Sequence, residues 1–388
     1  MPLGKIAVFE RGLTYSKADE VAHSRNGVLR ANNIDLATKT LDLTEIRYIA
    51  DTVQVPPAKK VRRNSLLICT ASGSRSHLGK VALIDDDYDL AFGGFMGLIT
   101  AGPSVDARYL YYLLTGPAYQ AKLDSLAGGT NINNLKFKEI ADFAVPLPPL
   151  EEQRRIVAVL DDAFAAIGTA TANVEKNLAN ARDLFEAAFR ERFDHVGDEW
   201  KTYKLPDVAE NWDYLRRPVT KSDRVPGEVP YYGASGQVDS VRDSLFDDDL
   251  LLVSEDGANL LMRTYPIAFS ISGKSWVNNH AHILKFKDMA TQRLVEYYLN
   301  SISVVPWVSG MAQPKLNQKA LNTIPVPLPP EDERENLVAE LDDLAEGIER
   351  FEANQEARLA MLAALKQSLL HRVFAGELAP NLPAAIAA

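Results

Sequence analysis

Two short stretches of the chain place carboxylates and imidazoles where they could support hydrolytic chemistry. Glu255 and Asp256 stand side by side, and His280 and His282 are two residues apart in WVNNHAH. Residues i and i+2 of a strand share one face, so both imidazoles could meet one metal ion. A metal-dependent DNA nuclease using these four residues is therefore an alternative. A third ligand beside the histidines is not evident, which favours histidines that are hydrogen-bonded in a loop or face a ligand.

Other catalytic templates do not fit. In SGSRSHLGKV the spacing from Gly73 to Gly79 is too long for a nucleotide loop, and Val81 replaces the Ser or Thr that would hold magnesium. The chain also has no Asn-Pro-Pro-aromatic motif of the kind that amino-methyltransferases use to hold a target base. We therefore expect no catalytic residue, no bound metal and no cofactor of its own in this chain.

A second set of side chains suits DNA recognition, which uses Lys and Arg for phosphates and Asn, Gln, Arg, Ser and aromatic residues for base edges. Those in the first half are Arg30, Asn32, Asn33, Lys59, Lys60, Arg62, Arg63, Ser72, Ser74, Arg75, His77 and Lys80. Those in the second half are Tyr231, Tyr232, Ser235, Gln237, Asn259, Lys274, Trp276, Asn278, Asn279 and His280. Taken singly, such residues are more typical of solvated faces and turns.

An internal repeat indicates which elements position these residues. VPLPP occurs at 145–149 and at 326–330, and the similarity continues without a gap through the Leu-Asp-Asp of 160–162 and 341–343. Upstream, Tyr111-Tyr112-Leu113 corresponds to Tyr297-Tyr298-Leu299. The chain is therefore a tandem of two units, each a globular block followed by a helix.

The segments after the two Pro-Pro pairs predict long helices. In the second copy apolar residues step by four and three from Leu337 to Phe351, and the first copy keeps this register with smaller residues. Each helix could run for about 44 residues, or about 65 Å at 1.5 Å per residue. Seams of this length usually pair with another helix, although two ordinary surface helices are an alternative.

The blocks before the helices predict mixed α and β structure, because runs such as SLLICTA and AHILKF alternate with Gly, Asn and Asp clusters. The predicted fold class is α+β, with two mixed α/β domains separated by two long helices that form an antiparallel coiled coil. The predicted domains are residues 1–145 and 200–325, and the predicted helical regions are residues 146–199 and 326–388.

Charge and hydropathy narrow the functional class. The net charge of −10 comes from the helical regions, since residues 146–199 have 11 acidic against 6 basic side chains, and residues 326–388 have 12 against 5. The near-neutral blocks can therefore still present a basic face to nucleic acid. No uninterrupted apolar stretch approaches the roughly 18 residues of a membrane span, and the single cysteine, Cys69, excludes an intrachain disulfide. We expect a cytoplasmic protein without membrane contact.

The repeated segments PLPPLEEQRRIVAVLDD and PLPPEDERENLVAELDD resemble the conserved regions of the specificity (S) subunits of type I restriction-modification systems. RANNID, VPYYGASG, SEDGAN and WVNNHAH resemble segments of that family's target-recognition domains. The resemblance covers essentially the whole chain.

The resemblance implies a non-catalytic prokaryotic subunit in which each block reads half of a split double-stranded DNA target. The helices then set the spacing between the halves and dock two modification subunits that methylate adenine N6 with S-adenosylmethionine. A restriction subunit that uses ATP and Mg²⁺ can complete the endonuclease. The residues that the resemblance assigns to docking are Pro148, Pro149, Glu152 and Gln153, with Pro329, Pro330 and Glu333 in the second copy.

The second copy departs from the family's pattern, because Asp332-Glu333-Arg334 stands where the first has Glu151-Glu152-Gln153. A weaker second docking face is therefore expected. The two blocks also differ strongly in sequence, which predicts an asymmetric target. A protein-binding scaffold without DNA contacts is a further alternative, and it predicts that exchanging residues 1–145 for those of a homologue would leave the methylated motif unchanged.

Overall fold

The computed structural model describes residues 1–127, 134–194, 199–310 and 313–377. The chain divides into two compact units. Unit 1 comprises Met1–Val174 together with the residues from Ala357 onward, and unit 2 comprises Glu175–Glu356. Each unit therefore contains one globular block and half of each long helix, and unit 1 is discontinuous in sequence.

Unit 1 contains two four-stranded sheets. Its strands are β1 (Ala7–Arg11), β2 (Glu20–Val21), β3 (Asn26–Leu29), β4 (Arg47–Ile49), β5 (Ser65–Cys69), β6 (Val81–Ile84), β7 (Leu90–Phe92) and β8 (Met96–Ala101). One sheet has the order β1-β8-β5-β6 and is antiparallel, and the other has the order β2-β4-β3-β7 with β3 and β7 parallel. In β5, Leu66 and Ile68 enter one core cluster and Leu67 and Cys69 enter another, because alternate side chains of a strand point to opposite faces.

The helices of unit 1 follow its strands. They are α1 (Ala107–Thr115), α2 (Pro117–Ala127), α3 (Phe137–Ala141) and the first half of α4 (Leu150–Asp194). Asp106 caps α1 by accepting hydrogen bonds from the backbone N–H groups of Arg108 and Tyr109. The buried face of α1 packs on the antiparallel sheet through Leu110 and Leu113.

Unit 2 repeats this architecture. Its strands are β9 (Lys201–Lys204), β10 (Ala209–Asn211), β11 (Pro226–Gly233), β12 (Gly236–Val241), β13 (Phe246–Asp247), β14 (Leu250–Ser254), β15 (Ala268–Ile271), β16 (Lys274–Val277), β17 (Ala281–Phe286) and β18 (Pro325–Leu328). Its helices are α5 (Leu205–Val208), α6 (Asn259–Met262), α7 (Met289–Ser301), α8 (Gln318–Leu321) and the first half of α9 (Glu331–Phe374). The antiparallel sheet β10-β17-β14-β15 has the same order as β1-β8-β5-β6, and β11 is parallel to β16 as β3 is to β7.

Within each unit α4 and α9 run antiparallel. In unit 2, Arg182 Nε lies 2.6 Å from Glu352 Oε1, and Arg192 lies 3.5 Å from Glu340. In unit 1, Leu160 and Leu370 pack with Tyr112, and Lys366 Nζ lies 5.1 Å from the centre of the Phe164 ring. The predicted α+β fold with an antiparallel pair of long helices is thus confirmed.

The same three side chains join block and helix in both units. In unit 1 the Tyr112 hydroxyl donates to Asp161 of α4, and Arg108 forms an ion pair with Asp161 at 2.9 Å. In unit 2 the Tyr297 hydroxyl donates to Asp342, and Arg293 lies 2.7 Å from it. The first aspartate of each Leu-Asp-Asp therefore attaches the long helix to the globular block. The contacts also make Tyr112 the equivalent of Tyr297, so the sequence correspondence, which paired Tyr111 with Tyr297, was wrong by one residue.

By length and composition alone, one described helix, Leu150–Phe193, would be apolar enough to cross a membrane. The same helix carries Asp161, which is bonded to Tyr112 and Arg108, and buries Leu160 against Leu370. These contacts show that the first half of this helix packs within the protein, as the predicted helix pair requires.

Candidate nucleic-acid interface

Four of the basic residues predicted to bind DNA in unit 1 lie together in the segment between β4 and β5. Lys59 Nζ donates to the Arg11 carbonyl at 2.7 Å, Lys60 pairs with Asp89, and Arg62 pairs with Glu10. The Arg63 side chain is exposed. Exposed ion pairs are worth no more than about 1 kcal/mol, so these cations can exchange their carboxylates for phosphates at little cost.

The loop after β5 carries Ser72, Ser74, Arg75 and His77 before Lys80. Lys80 is buried, and its ammonium donates to the Ile34 carbonyl and to His77 Nδ1, both at 2.6 Å. Burial lowers the pKa of Lys80, and burial with the nearby lysines lowers the pKa of His77. Lys80 therefore anchors the loop rather than meeting DNA.

The Arg30-Ala-Asn-Asn segment also contains both exposed and buried polar side chains. Arg30 and Asn32 are exposed. Asn33 is buried, and its amide donates to the carbonyls of Asp42 and Glu45 at 2.8 and 2.9 Å. The first two are available to a ligand, whereas Asn33 fixes the turn that presents them.

Beside Arg30 lies a cleft of about 740 Å³ that the sequence analysis did not identify. Its lining includes Tyr15, Lys17, Arg47 and Phe95. These residues come from three separate parts of the chain, namely the segment between β1 and β2, the start of β4 and the segment before β8, and Phe95 is apolar, so a search for polar clusters along the sequence could not group them.

In unit 2 the predicted residues of the β11–β12 hairpin are partly structural. Tyr231 is buried beneath the Arg224 guanidinium, which lies 4.1 Å from its ring centre and pairs with Asp239 at 2.8 Å. Tyr232 is half-buried, whereas Ser235 and Gln237 are exposed near the turn.

The remaining predicted residues of unit 2 lie on β16, α6 and the segment entering β17. Lys274, Asn279 and His280 are exposed, and Trp276 is half-buried with its indole N–H donating to the Arg217 carbonyl at 2.7 Å. Asn259 and Asn278 are buried and hydrogen-bonded to neighbouring loop backbone. The exposed members can contact a ligand, and the two buried asparagines hold the loops.

A buried charge cluster lies beneath these loops. The His282 ring is 1% exposed, with Nδ1 at 2.6 Å from Asp213 and Nε2 at 2.7 Å from the Leu316 carbonyl. Both ring nitrogens thus lie within hydrogen-bond distance of oxygen atoms. Arg216 and Lys315 bond to Glu255 at 2.6 and 3.1 Å.

These contacts hold both carboxylates in the ionised form. Burial would raise the pKa of Asp213, but the hydrogen bond from His282, the backbone hydrogen bond from Ile283 and the charge of the nearby Arg216 lower it overall. Burial would also raise the pKa of Glu255. The hydrogen bonds from Arg216 and Lys315 outweigh this effect, so the pKa of Glu255 is lowered as well. The cluster ties together the loops that contain residues 213–216, 255–257 and 315–316.

The four residues of the nuclease alternative do not converge on one site. Asp213, Glu255 and His282 have oxygen or nitrogen atoms within 4.8 Å of one another, a spacing that suits a metal ion. However, Arg216 and Lys315 already supply positive charge there. Asp256 and His280 instead form a separate, partly exposed pair at 2.9 Å. The geometry does not support metal-dependent hydrolysis.

Gln153 and Arg334 occupy equivalent positions in the first turns of α4 and α9. The Gln153 amide donates to the carbonyls of Pro148 and Ser104 and accepts from the Asp106 N–H, at 2.8 to 3.0 Å. Arg334 donates to the Pro329 carbonyl at 3.1 Å and to the Thr291 hydroxyl at 2.9 Å. Gln153 thus clamps the Pro-Pro turn to the start of α1, and Arg334 clamps the second Pro-Pro turn to the start of α7.

Gln153 is 0% exposed and Arg334 is 8% exposed, so neither faces a partner. The interpretation of Gln153 as a docking residue does not fit this geometry. The replacement of Gln by Arg334 in the second copy likewise gives no reason to expect a weaker second docking face. Pro329 is also buried. Docking stays a prediction for the more exposed Pro148, Pro149, Glu152, Pro330 and Glu333.

Arg334→Ala is expected to lower the free energy of unfolding of unit 2 by about 1–3 kcal/mol, because it leaves the Pro329 carbonyl and the Thr291 hydroxyl without their buried donor. Urea unfolding followed by tryptophan fluorescence measures this, since all four tryptophans lie between residues 200 and 307. Glu333→Ala, at the exposed neighbouring position, is the control and should leave stability unchanged. Equal stability of both variants would contradict the clamp.

Comparisons with known proteins agree on one family. Residues 51–177 and 197–359 match the family described as the type I restriction modification DNA specificity domain. The StySPI specificity subunit of Salmonella potsdam is 22% identical over 97% of this chain and 88% of its own length. The EcoKI specificity subunit of Escherichia coli K12 is 28% identical, over 45% of this chain and 38% of its own length.

A solved chain from a type I R-M system has the same fold. It superposes with a TM-score of 0.78, covers 97% of both chains, and is 19% identical. The duplicated sheet-and-helix architecture is therefore one already seen in a protein of such a system.

Proposed function

This chain belongs to the type I restriction modification DNA specificity family, and from that premise we propose that it is the sequence-reading, non-catalytic subunit of a restriction-modification complex. The observation that carries the proposal is the duplicated unit. Both units have the same antiparallel sheet order and the same Arg–Tyr–Asp attachment to α4 and α9. Two such units suit a DNA target that is read in two halves.

The two units present different side chains on equivalent loops, which favours halves of different sequence. The helices α4 and α9 each contain residues of both units and have 45 and 44 residues. We propose that they fix the number of unread base pairs between the halves, since half-sites on DNA face the same way only about every 34–36 Å.

The chemistry of methylation and cleavage belongs to other subunits in this proposal. Two modification subunits dock on the conserved segments and supply methyl groups from S-adenosylmethionine to adenine N6. A restriction subunit uses ATP and Mg²⁺. The complex acts on chromosomal and invading DNA in the cytoplasm of a prokaryote, which agrees with the single buried cysteine.

The purified chain with its modification subunit is expected to bind the motif that is methylated in the host genome, and to bind it far more tightly than scrambled DNA. The basic residues predict strong dependence on salt. If 6–10 phosphates are contacted, the affinity falls roughly 10³- to 10⁵-fold between 50 and 200 mM salt. Electrophoretic mobility shifts on both DNAs over this salt range measure both effects.

Two results would contradict the proposal. Equal affinity for the motif and for scrambled DNA in the assembled complex would exclude sequence reading and favour a scaffold. Metal-dependent cleavage by the isolated chain would restore the nuclease alternative.

A further inference from the structure

One short segment occupies the same place in both units. In unit 1, Gly93–Phe95 leads into β8, and in unit 2, 278–280 leads into β17. The Phe95 carbonyl accepts from Thr70 N–H at 2.9 Å, and the His280 carbonyl accepts from Glu255 N–H at 2.8 Å. Phe95 and His280 are therefore structurally equivalent, although nothing in the local sequence relates them.

The backbone at this position is firmly held while the side chain is free. The Phe95 carbonyl also accepts from Ala71 N–H and the Thr70 hydroxyl, at 3.1 and 3.0 Å, and Met96 N–H bonds to Gly93 at 2.8 Å. The Phe95 ring is nevertheless 73% exposed. A rigid loop tip with an uncommitted aromatic ring is preorganised for contact with a ligand.

A single exposed phenylalanine is ordinary on a protein surface, but Phe95 lines a cationic cleft. Arg30, Arg47 and Lys17 line the same cleft. Among the described residues, no carboxylate lies within ion-pair distance of Arg30 or Lys17, and Arg47 has only Glu20 at 3.7 Å. Glu20 also lines the cleft, so three cations stand there against one carboxylate. This excess of positive charge beside an exposed ring suits a polyanion that also presents apolar groups, as the major groove of DNA does.

The equivalent place in unit 2 has different chemistry. The His280 ring lies 2.9 Å from Asp256, and Asp256 takes the place of Ala71, because the two form equivalent bridges to Lys315 and to Asn134. Where unit 1 presents a ring beside a small residue, unit 2 presents an imidazole beside a carboxylate.

We propose that the position of Phe95 and His280 determines sequence specificity in its own half of the target. Phe95, flanked by Arg30 and Arg47, contacts a base pair through the thymine methyl group. His280 with Asp256 contacts a polar base edge, where the carboxylate can accept from a cytosine amino group. This inference rests on the proposed function and adds to it which residue in each unit reads the bases.

The test is the methylation motif produced by the complex of full-length chain and modification subunit on plasmid DNA, determined by single-molecule sequencing. Phe95→Ala should relax the motif at one position of one half, with about 5- to 150-fold less discrimination there. His280→Ala should relax only the other half. Val8→Ala, which removes another exposed apolar side chain of unit 1 (61% exposed) away from the cleft, should change neither half.

The measured motifs distinguish a failure of the proposed function from a failure of the role proposed for Phe95 and His280. A wild-type complex without any sequence motif would overturn the proposed function and this inference together. A wild-type bipartite motif that Phe95→Ala leaves unchanged, or that Phe95→Ala and His280→Ala relax in the same half, would overturn the inference alone. Melting curves of each variant exclude loss of folding, which is not expected at side chains this exposed.

Discussion

Replacing His282 with alanine is expected to lower the free energy of unfolding of unit 2 by about 3 kcal/mol, because it leaves buried carboxylate charge without its main partner. Asp213 loses the bond at 2.6 Å, and the Leu316 carbonyl loses its donor at 2.7 Å. Arg216, at 3.5 Å from Asp213, compensates only in part. Urea unfolding followed by tryptophan fluorescence reports on unit 2 selectively, since unit 1 contains no tryptophan.

His280→Ala provides a matched control, since it removes the same side chain two residues earlier. The His280 side chain is 51% exposed, and its ion pair with Asp256 lies at the surface. Its loss should cost no more than about 1 kcal/mol. Equal destabilisation by both substitutions would show that the buried cluster does not hold the loops of unit 2 together.

Leu370→Ala is expected to lower the free energy of unfolding of unit 1 by about 2–5 kcal/mol, the usual cost of emptying a closely packed leucine site. Leu370 is 1% exposed and packs against Tyr112 and Leu160. Far-UV circular dichroism combined with tryptophan fluorescence measures the effect. The change should appear in the dichroism transition and leave the tryptophan transition, which belongs to unit 2, in place.

Leu365→Ala is the control on the same helix, because Leu365 is 47% exposed. We expect less than about 1 kcal/mol of destabilisation from it, since most of its surface is already in water. A large effect at Leu365 or none at Leu370 would contradict the observed packing of α9 on unit 1.

The sequence predicted the fold through features that repeat. The doubled VPLPP and the four-and-three spacing of Leu337 to Phe351 were sufficient to predict two long helices and two blocks. Apolar runs and clusters of Gly, Asn and Asp also distinguished strands from turns. The pairing of Tyr112 with Tyr297 was missed because neighbouring tyrosines at both sites allow a shift of one residue, and the contacts to Asp161 and Asp342 fix the correct pairing.

The candidate site was harder to predict, because burial decides the role of a polar side chain and is not visible in its type. Asn33, Lys80 and Asn278 resemble ligand contacts in sequence but hold loops together. Asp213, the closest partner of His282, lies 69 residues away along the chain. Phe95 was missed because a rule that selects polar residues passes over an exposed apolar one.

The discontinuity of unit 1 has a consequence for biosynthesis. Unit 2 is one continuous segment, so all of its residues have been made before translation reaches Ala357. Leu370 and Phe374, which cover Leu160 and Tyr109 in unit 1, follow the whole of unit 2 in the chain. At 5–20 residues per second, the first block therefore waits roughly 10–40 s with this apolar surface uncovered. The first block is thus completed only after unit 2, and its uncovered apolar surface favours aggregation during that interval.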